Sequence, residues 1–275
     1  MNGRRMDLRQ LAATLRGAGL SDRESTGEDV LSRSGKRILG LEVPLRDAED
    51  AWRLWLGLRE QTGFHPVLSE LPPSALVGGQ IADGDEYDGR AETAPREIVA
   101  EIVEAALLDH LDGAGEEEAA EWHTEFVPER LAARLRDGFT PEPGGTLRLE
   151  DRDERSLYWT ETLWLNLVET EQGYSVPRLL PGFPGAPNWF HGPEGRPILD
   201  SDHVAFLHTW FERFGAELIY LDGSNLRLWV ARPPRDLLET ARVAIEQYAY
   251  CPDRRDLEVI GNGQARSDAW SFWWD

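Results

Sequence analysis

The chain has 275 residues, a formal net charge of −21 at pH 7, 41% hydrophobic residues, 11 Trp and one Cys. That length and apolar content describe a globular protein able to bury a substantial core and set it apart from the composition of disordered chains. The charge repels nucleic-acid phosphates and anionic lipids, the lone cysteine excludes a disulfide framework or cysteine-rich zinc site, and no apolar run approaches the roughly 18 residues of a membrane span. The opening MNGRRMDLRQLAATLRG has paired arginines but no apolar segment after them. The expectation is a cytoplasmic protein with neither a nucleic-acid nor a membrane partner.

Residues 7–18 predict a short helix, and SDRESTGEDV (21–30) reads as an exposed polar linker. KRILGLEVP (36–44) predicts a strand. A helix follows, with Asp47 as N-cap, Ala51, Trp52, Trp55, Leu56 and Leu58 on its apolar face and Gly63 as its stop. HPVLSEL (65–71) predicts a second strand. From Asp83 to Glu125 there are 15 acids against Arg90 and Arg96, a net charge of −13. Within that run Pro95 opens an amphipathic helix with Ile98, Ile102, Ala105, Leu108 and Leu111 inward, closed by Gly113. Its flanks, DGDEYDGRAE and GAGEEEAAE, read as mobile acidic loops. PERLAARLRDG (128–138) predicts a further helix, and 137–155 is the best linker.

ETLWLNLVET (161–170) alternates as a strand, with Leu163, Leu165 and Leu167 on one side. The prolines of PRLLPGFPGAPNWFHGPEGRP remove amide donors, so this stretch reads as an ordered loop or lid. SDHVAFLHTWFERFG predicts a helix capped by Ser201 or Asp202, with Val204, Leu207, Phe211 and Phe214 inward and Gly215 as stop. AELIYLDGSNLRLWVAR predicts a hairpin about Asp222 and Gly223. A helix with Leu237, Leu238, Ala241, Ile245 and Tyr248 inward follows, and WSFWW predicts a final strand.

The segments NWF, HVAFLHTWFERFGAELI, RPP, EQYAYCPD and WSFWWD resemble the bacterial domain-of-unknown-function family numbered 4253. AWRLWLGLREQTGFHPVL (51–68) is similar to an earlier stretch of the same proteins. Between Asp253 and Trp270 this chain has RRDLEVIGNGQARSDA, where those proteins carry Gln-Gly and a helix-like stretch. The resemblance implies that the N-terminal elements join the same sheet as the C-terminal ones. It implies no activity.

Chemistry must therefore be argued from the residues. Cys251 would need a cationic or basic neighbour to act as a thiolate nucleophile, and His191, His203 and His208 are near enough in sequence to supply one. The structural alternative is a buried cysteine, with Pro252 stopping a helix and Asp253 making a local turn contact. His203 and His208 are five apart, so on a helix their side chains diverge by roughly 140° and do not share an ion. Without zinc-ligand spacing, a calcium loop or a complete glycine-rich phosphate motif, no metal and no cofactor is expected. LEVIGNGQARS reads as a strand entering a turn.

Two surfaces read as binding sites: a lid carrying Trp189, Phe190 and His191, and a docking face around Glu116, Glu117 and Glu118. In the terminal strand Trp270, Phe272 and Trp274 point one way and Trp273 the other, so it is expected to be central or covered on both faces, with Asp275 near Arg232. The fold class is mixed α/β, a mixed or mostly antiparallel sheet flanked by helices. Residues 1–35 form a helix and linker, 36–145 an N-terminal part with the acidic segment, and 156–275 a C-terminal part sharing its sheet with 36–71. The leading function is a non-enzymatic acidic module for a basic protein partner, immunity or antitoxin-like. The alternative is an enzyme or small-ligand binder using Cys251 and a histidine under the Pro-rich lid.

Overall fold

A computed structural model describes residues 6–20, 26–32, 34–78, 93–112, 114–136, 161–180, 190–191, 196–252 and 256–274. In chain order the elements are α1 (Leu8–Gly17), β1 (Gly27–Leu31), β2 (Arg37–Pro44), α2 (Leu45–Thr62), β3 (Phe64–Ser69), α3 (Pro73–Gly78), α4 (Pro95–Leu111), α5 (Glu116–Glu125) and α6 (Pro128–Arg134). Then come β4 (Thr162–Glu169), α7 (Val176–Leu179), β5 (Phe190–His191), β6 (Arg196–Pro197), α8 (Asp200–Phe214), β7 (Ala216–Leu221), β8 (Asn225–Val230), α9 (Leu237–Tyr250), α10 (Leu257–Asn262) and β9 (Ala269–Trp273). The fold is mixed α/β. Among the described residues there are ten helices and a seven-stranded, mostly antiparallel sheet in the order β1, β2, β4, β3, β7, β8, β9, with β5 and β6 forming a separate pair. Two compact units divide the chain: Met1–Gly84 with Leu147–Gly185 and Leu218–Leu226, and Asp85–Thr146 with Ala186–Glu217 and Arg227–Asp275.

In the first unit, Asp7 and Gln10 form a reciprocal capping box that starts α1 and leaves Leu11 and Leu15 buried. β2 and β4 run antiparallel with Leu39 opposite Leu167, Leu41 opposite Leu165 and Val43 opposite Leu163, all buried, so alternation along each strand builds one apolar face. α2 buries Ala48, Ala51, Trp52 and Trp55 and ends at Gly63, whose φ of 73° is the left-handed conformation expected of a glycine stop. Its cap is Pro44, so Asp47 sits in the first turn and complements the helix dipole instead of capping. Leu56 and Leu58 are only half-buried. The predicted polar linker is in part the strand β1: its alternation of exposed and half-buried residues is that of an edge strand, with Leu31 60% exposed.

Pro66 lies inside β3, between β4 and β7, and has no N–H to give to a ladder. β3 and β7 are parallel, with Leu68 opposite Tyr220. Two residues earlier on each strand, the indole N–H of Trp52 donates to both Pro66 O (3.0 Å) and Leu218 O (3.2 Å), a side chain replacing the missing backbone donor. Beside it His65 is fully buried. Burial, the largest cause, pushes its pKa down to about 3, Arg59 adds to the lowering, and the Leu218 backbone works the other way. Gly173 must be glycine here, because a Cβ at that position would collide with the His65 ring.

In the second unit, α8 and α9 carry the core. Leu199 caps α8, its N–H held by Asp202 Oδ2 at 2.9 Å, so Asp202 serves the cap from inside the first turn and Ser201 is not the cap. Gly215 ends the helix at φ 63°. The inward face of α8 is His203, Phe206, Leu207, Trp210 and Phe214, while Val204 and Phe211 are half-buried. α9 is capped by Asp236 and buries Ala241, Ile245 and Tyr248 as predicted, with Leu237 and Leu238 half-buried. In α4 the buried face is Ile98, Val99, Ile102 and Ala106, rotated from the expected one, and Leu108 is 44% exposed.

Other expectations are corrected here. GEEEAAE is no loop but the start of α5, whose first-turn glutamates suit the positive end of the helix. Pro177–Leu179, read as irregular, lie in α7, where Pro occupies the first turn and needs no donor. The predicted strand at LEVIG is α10, because Asp256 accepts from the N–H groups of Glu258 and Val259 and caps a helix. β9 lies at the end of the sheet order, so of the two expected placements it is not the central one; along it buried residues alternate with half-buried ones. The predicted helix stop Gly113, the linker 137–155 and Asp275 lie outside the described residues.

The buried His65 gives a pH prediction. Its folded pKa is depressed, so below about pH 6.5 the unfolded chain binds a proton that the folded one refuses, and stability falls as pH drops from 6.5 toward 3. The loss is about 1.4 kcal/mol per pH unit for one proton. Urea unfolding at pH 6.5 and pH 5 should show a loss larger by about 2 kcal/mol in the wild type than in His65→Gln. Equal losses would contradict a neutral buried imidazole.

Candidate functional site

The second unit holds a cavity of about 510 Å³ built by α4, α8 and α9 with the start of α6. Its apolar walls are Val99, Ala100 and Val103 of α4, Ile245 of α9, and Phe126 with Pro128. Its polar side comes from a half-buried charge network. Glu239 and Glu246 are seven residues apart on α9, two turns of helix, so both face α8. Arg213 of α8 sits between them: Nε and Nη2 donate to Glu239 Oε1 at 3.1 and 2.7 Å, and Nη1 donates to Glu246 Oε1 and Oε2 at 2.6 and 2.8 Å. Trp210 Nε1 gives Glu246 Oε2 another hydrogen bond at 2.8 Å.

Burial is the largest influence on both charges. It raises the Glu246 pKa above the ordinary carboxylate range against the opposing pull of Arg213 and Trp210. It disfavours the Arg213 charge as well, but the two glutamates together outweigh it and lift the guanidinium higher still. At the cavity mouth Arg242 approaches Glu239 at 3.5 Å and Arg96 approaches Glu212 at 3.5 Å, with side chains 49% and 70% exposed. Thr209 also lines the cavity, and its buried hydroxyl has no hydrogen-bond partner among the described residues. Such a space can hold a small molecule with an apolar body and a polar end.

The cysteine and its neighbours form a different arrangement. Tyr250 stands nearly perpendicular to Trp210, Phe272 and Trp274, with ring centroids 5.2, 4.9 and 5.2 Å away, and Trp210 stacks on Phe272 at 5.3 Å. Edge-to-face and offset geometries of this kind are the favourable ones for aromatic pairs. His203, fully buried, shares a 2.7 Å hydrogen bond between Nδ1 and Tyr250 Oη. The Cys251 thiol is 1% exposed and donates to Trp273 O at 3.0 Å. His208 lies half-buried with Nε2 3.6 Å from Glu212 Oε1. The contacts described for the thiol and the two histidines run to Trp273, Tyr250 and Glu212 respectively. Phe190 and His191 form β5, and Trp189 and Asp253 lie outside the described residues.

The acidic residues Glu116, Glu117 and Glu118 are exposed in the first turn of α5. This helix buries no residue completely and is held by an aromatic clamp. Trp122 stacks on His110 of α4 at 3.8 Å with an interplanar angle of 10°, and Tyr248 Oη of α9 meets His110 Nε2 at 2.8 Å. Phe126 packs edge-on against Tyr248 at 5.9 Å. α4 adds exposed Glu97, Glu101, Glu104 and Asp109. Among the described residues no group of three His, Cys, Asp or Glu is placed to hold a metal ion, and no helix is long and apolar enough to cross a membrane.

The cavity was not anticipated from sequence. A signal existed in two glutamates at helical spacing on α9, and an arginine three residues after Trp210 on the inward side of α8. Nothing local showed that they would meet. Residues 164–275 carry a domain whose family model is described as a domain of unknown function, DUF4253. The 51–68 stretch lies outside that match, and so do α4, α5 and α6. No curated protein and no solved structure matches the chain.

Two outcomes follow from this geometry. In the folded protein Cys251 should resist a neutral alkylating reagent and react fully after denaturation, as followed by mass; rapid native labelling would contradict the buried thiol. Arg213→Met leaves Glu246 without its cation and should lower stability by about 3 kcal/mol in denaturant titration, a loss partly recovered by adding Glu239→Gln and Glu246→Gln.

Proposed function

We propose that this chain is a non-catalytic binding module that docks a basic protein partner through the acidic face of α4 and α5, an immunity or antitoxin-like role being one form of it. The observation that carries this reading is the concentration of one charge sign on two clamped helices. Glu97, Glu101, Glu104 and Asp109 of α4 and Glu116, Glu117, Glu118 and Glu121 of α5 are all exposed, and Arg96 is the one exposed arginine among the described residues of these helices. Leu108, 44% exposed on α4, adds an apolar contact within that field.

Such a surface steers a basic partner electrostatically and disfavours an acidic one, so it supports rapid and selective association. The aromatic clamp bears on this. Pinning α5 through Trp122 fixes the glutamates before a partner arrives and lowers the ordering cost of binding. The lone thiol supports the same reading, since its hydrogen bond runs to a backbone carbonyl.

The test compares the wild type with Glu116→Gln/Glu117→Gln/Glu118→Gln. Proteins captured on the wild type from native lysate are identified and the most abundant basic one is purified. Titration should show the variant binding it about tenfold more weakly, with the wild-type affinity falling steeply as salt is raised. A partner held equally by both forms, or capture of none but neutral and acidic proteins, would overturn the reading.

A further inference from the structure

We infer that the cavity between α4, α8 and α9 is a binding site for a small monoanion with an apolar body, a carboxylate on a hydrocarbon or aryl group. The cavity volume of about 510 Å³ falls in the range of small-molecule sites. Its walls of Val99, Ala100, Val103, Phe126 and Ile245 suit a hydrocarbon and offer it no hydrogen bond.

The sign of the charged end follows from the polar lining. Glu239 and Glu246 are committed to Arg213, which is bound to both. Arg96 and Arg242 remain at the mouth, each in a 3.5 Å pair on an exposed side chain. Exposed pairs of this length contribute little, so either guanidinium turns to a better partner at small cost. Counting Arg96, Arg213 and Arg242 against Glu239 and Glu246, the lining is net positive in a protein whose total charge is −21. A cationic ligand would have to displace Arg213 from its two carboxylates. An anionic one needs only Arg242 and Arg96, whose guanidinium groups bind carboxylates in two-point geometry. The Thr209 hydroxyl, buried without a partner among the described residues, offers one further hydrogen bond from the cavity wall.

The probe is decanoate, compared by calorimetric titration with decylammonium and decanol. Decanoate should bind saturably with a Kd of about 10 to 100 μM, decanol more weakly and decylammonium not at all. Arg96→Gln/Arg242→Gln, which changes only exposed side chains, should weaken decanoate about tenfold and leave decanol unchanged. Val103→Trp fills the cavity and should abolish binding of both. No saturable binding of decanoate at millimolar concentration, equal affinity for decylammonium, or full affinity in either variant would overturn the inference. Glu116→Gln/Glu117→Gln/Glu118→Gln should bind decanoate as the wild type does, so this site and the acidic docking face stand or fall separately.

Discussion

One guanidinium organises the second unit. Removing Arg213 would strand Glu246 and leave Glu239 only the 3.5 Å approach of Arg242, and among the described residues no other cation comes as close to either carboxylate. The pairing holds α8 and α9 in one register, and the Trp210 indole completes the shell of Glu246 from the same helix turn. A buried ion pair is weak evidence for net stability, because desolvation takes back much of what attraction supplies. Its consequence is specificity: an apolar contact tolerates sliding, whereas a guanidinium between two carboxylates does not. The same network forms the polar side of the cavity, so the feature that sets the helix packing also sets what the cavity can accept.

The terminal strand shows a second use of polar groups as constraints. β9 is an edge strand, and an edge presents unpaired backbone groups that invite aggregation. Its even-numbered residues Trp270 and Phe272 turn their side chains into the core, and Trp274 just beyond the strand does the same. On the open edge Gln264 Oε1 accepts the Ser271 N–H at 3.1 Å, and the Cys251 thiol donates to Trp273 O at 3.0 Å. The cysteine is thus best understood as a cap on a sheet edge, and its place between Tyr250 and Pro252 follows: the helix has just ended, and the side chain reaches sideways to the strand beside it. In the first unit the Trp52 indole serves Pro66 and Leu218 in the same manner.

Elements with strong periodicity or plain punctuation were legible in the sequence. α2, α4, α8 and α9, the β7 and β8 strands about Asp222 and Gly223, and the glycine stops at Gly63 and Gly215 follow from local chemistry alone. What was missed depended on distant partners. GEEEAAE reads as a loop until Trp122 finds His110 and Tyr248, which hold an otherwise solvated helix in place. LEVIG has β-branched residues, yet the Asp256 cap decides for a helix. β1 contains Gly27 and two acids and forms a strand because β2 offers an edge with a matching register. The cavity belongs to this class as well, since Arg213 and Glu246 are 33 residues apart and their meeting is a tertiary event.

α4 joins the two proposed surfaces and shows how opposite charges can be read on one molecule. Glu97, Glu101 and Glu104 are exposed, while Val99 and Val103 line the cavity. A net charge of −21 repels an anionic ligand at long range. Range resolves this. At physiological salt the field of an exposed charge decays over about 8 Å, so distant carboxylates are screened for a ligand already at the cavity mouth, where Arg242 and Arg96 are in contact. On the two proposals made above, the global charge would govern which macromolecule approaches, and local guanidinium groups which small molecule stays. The two selections act at different distances, and a single helix can serve both without conflict.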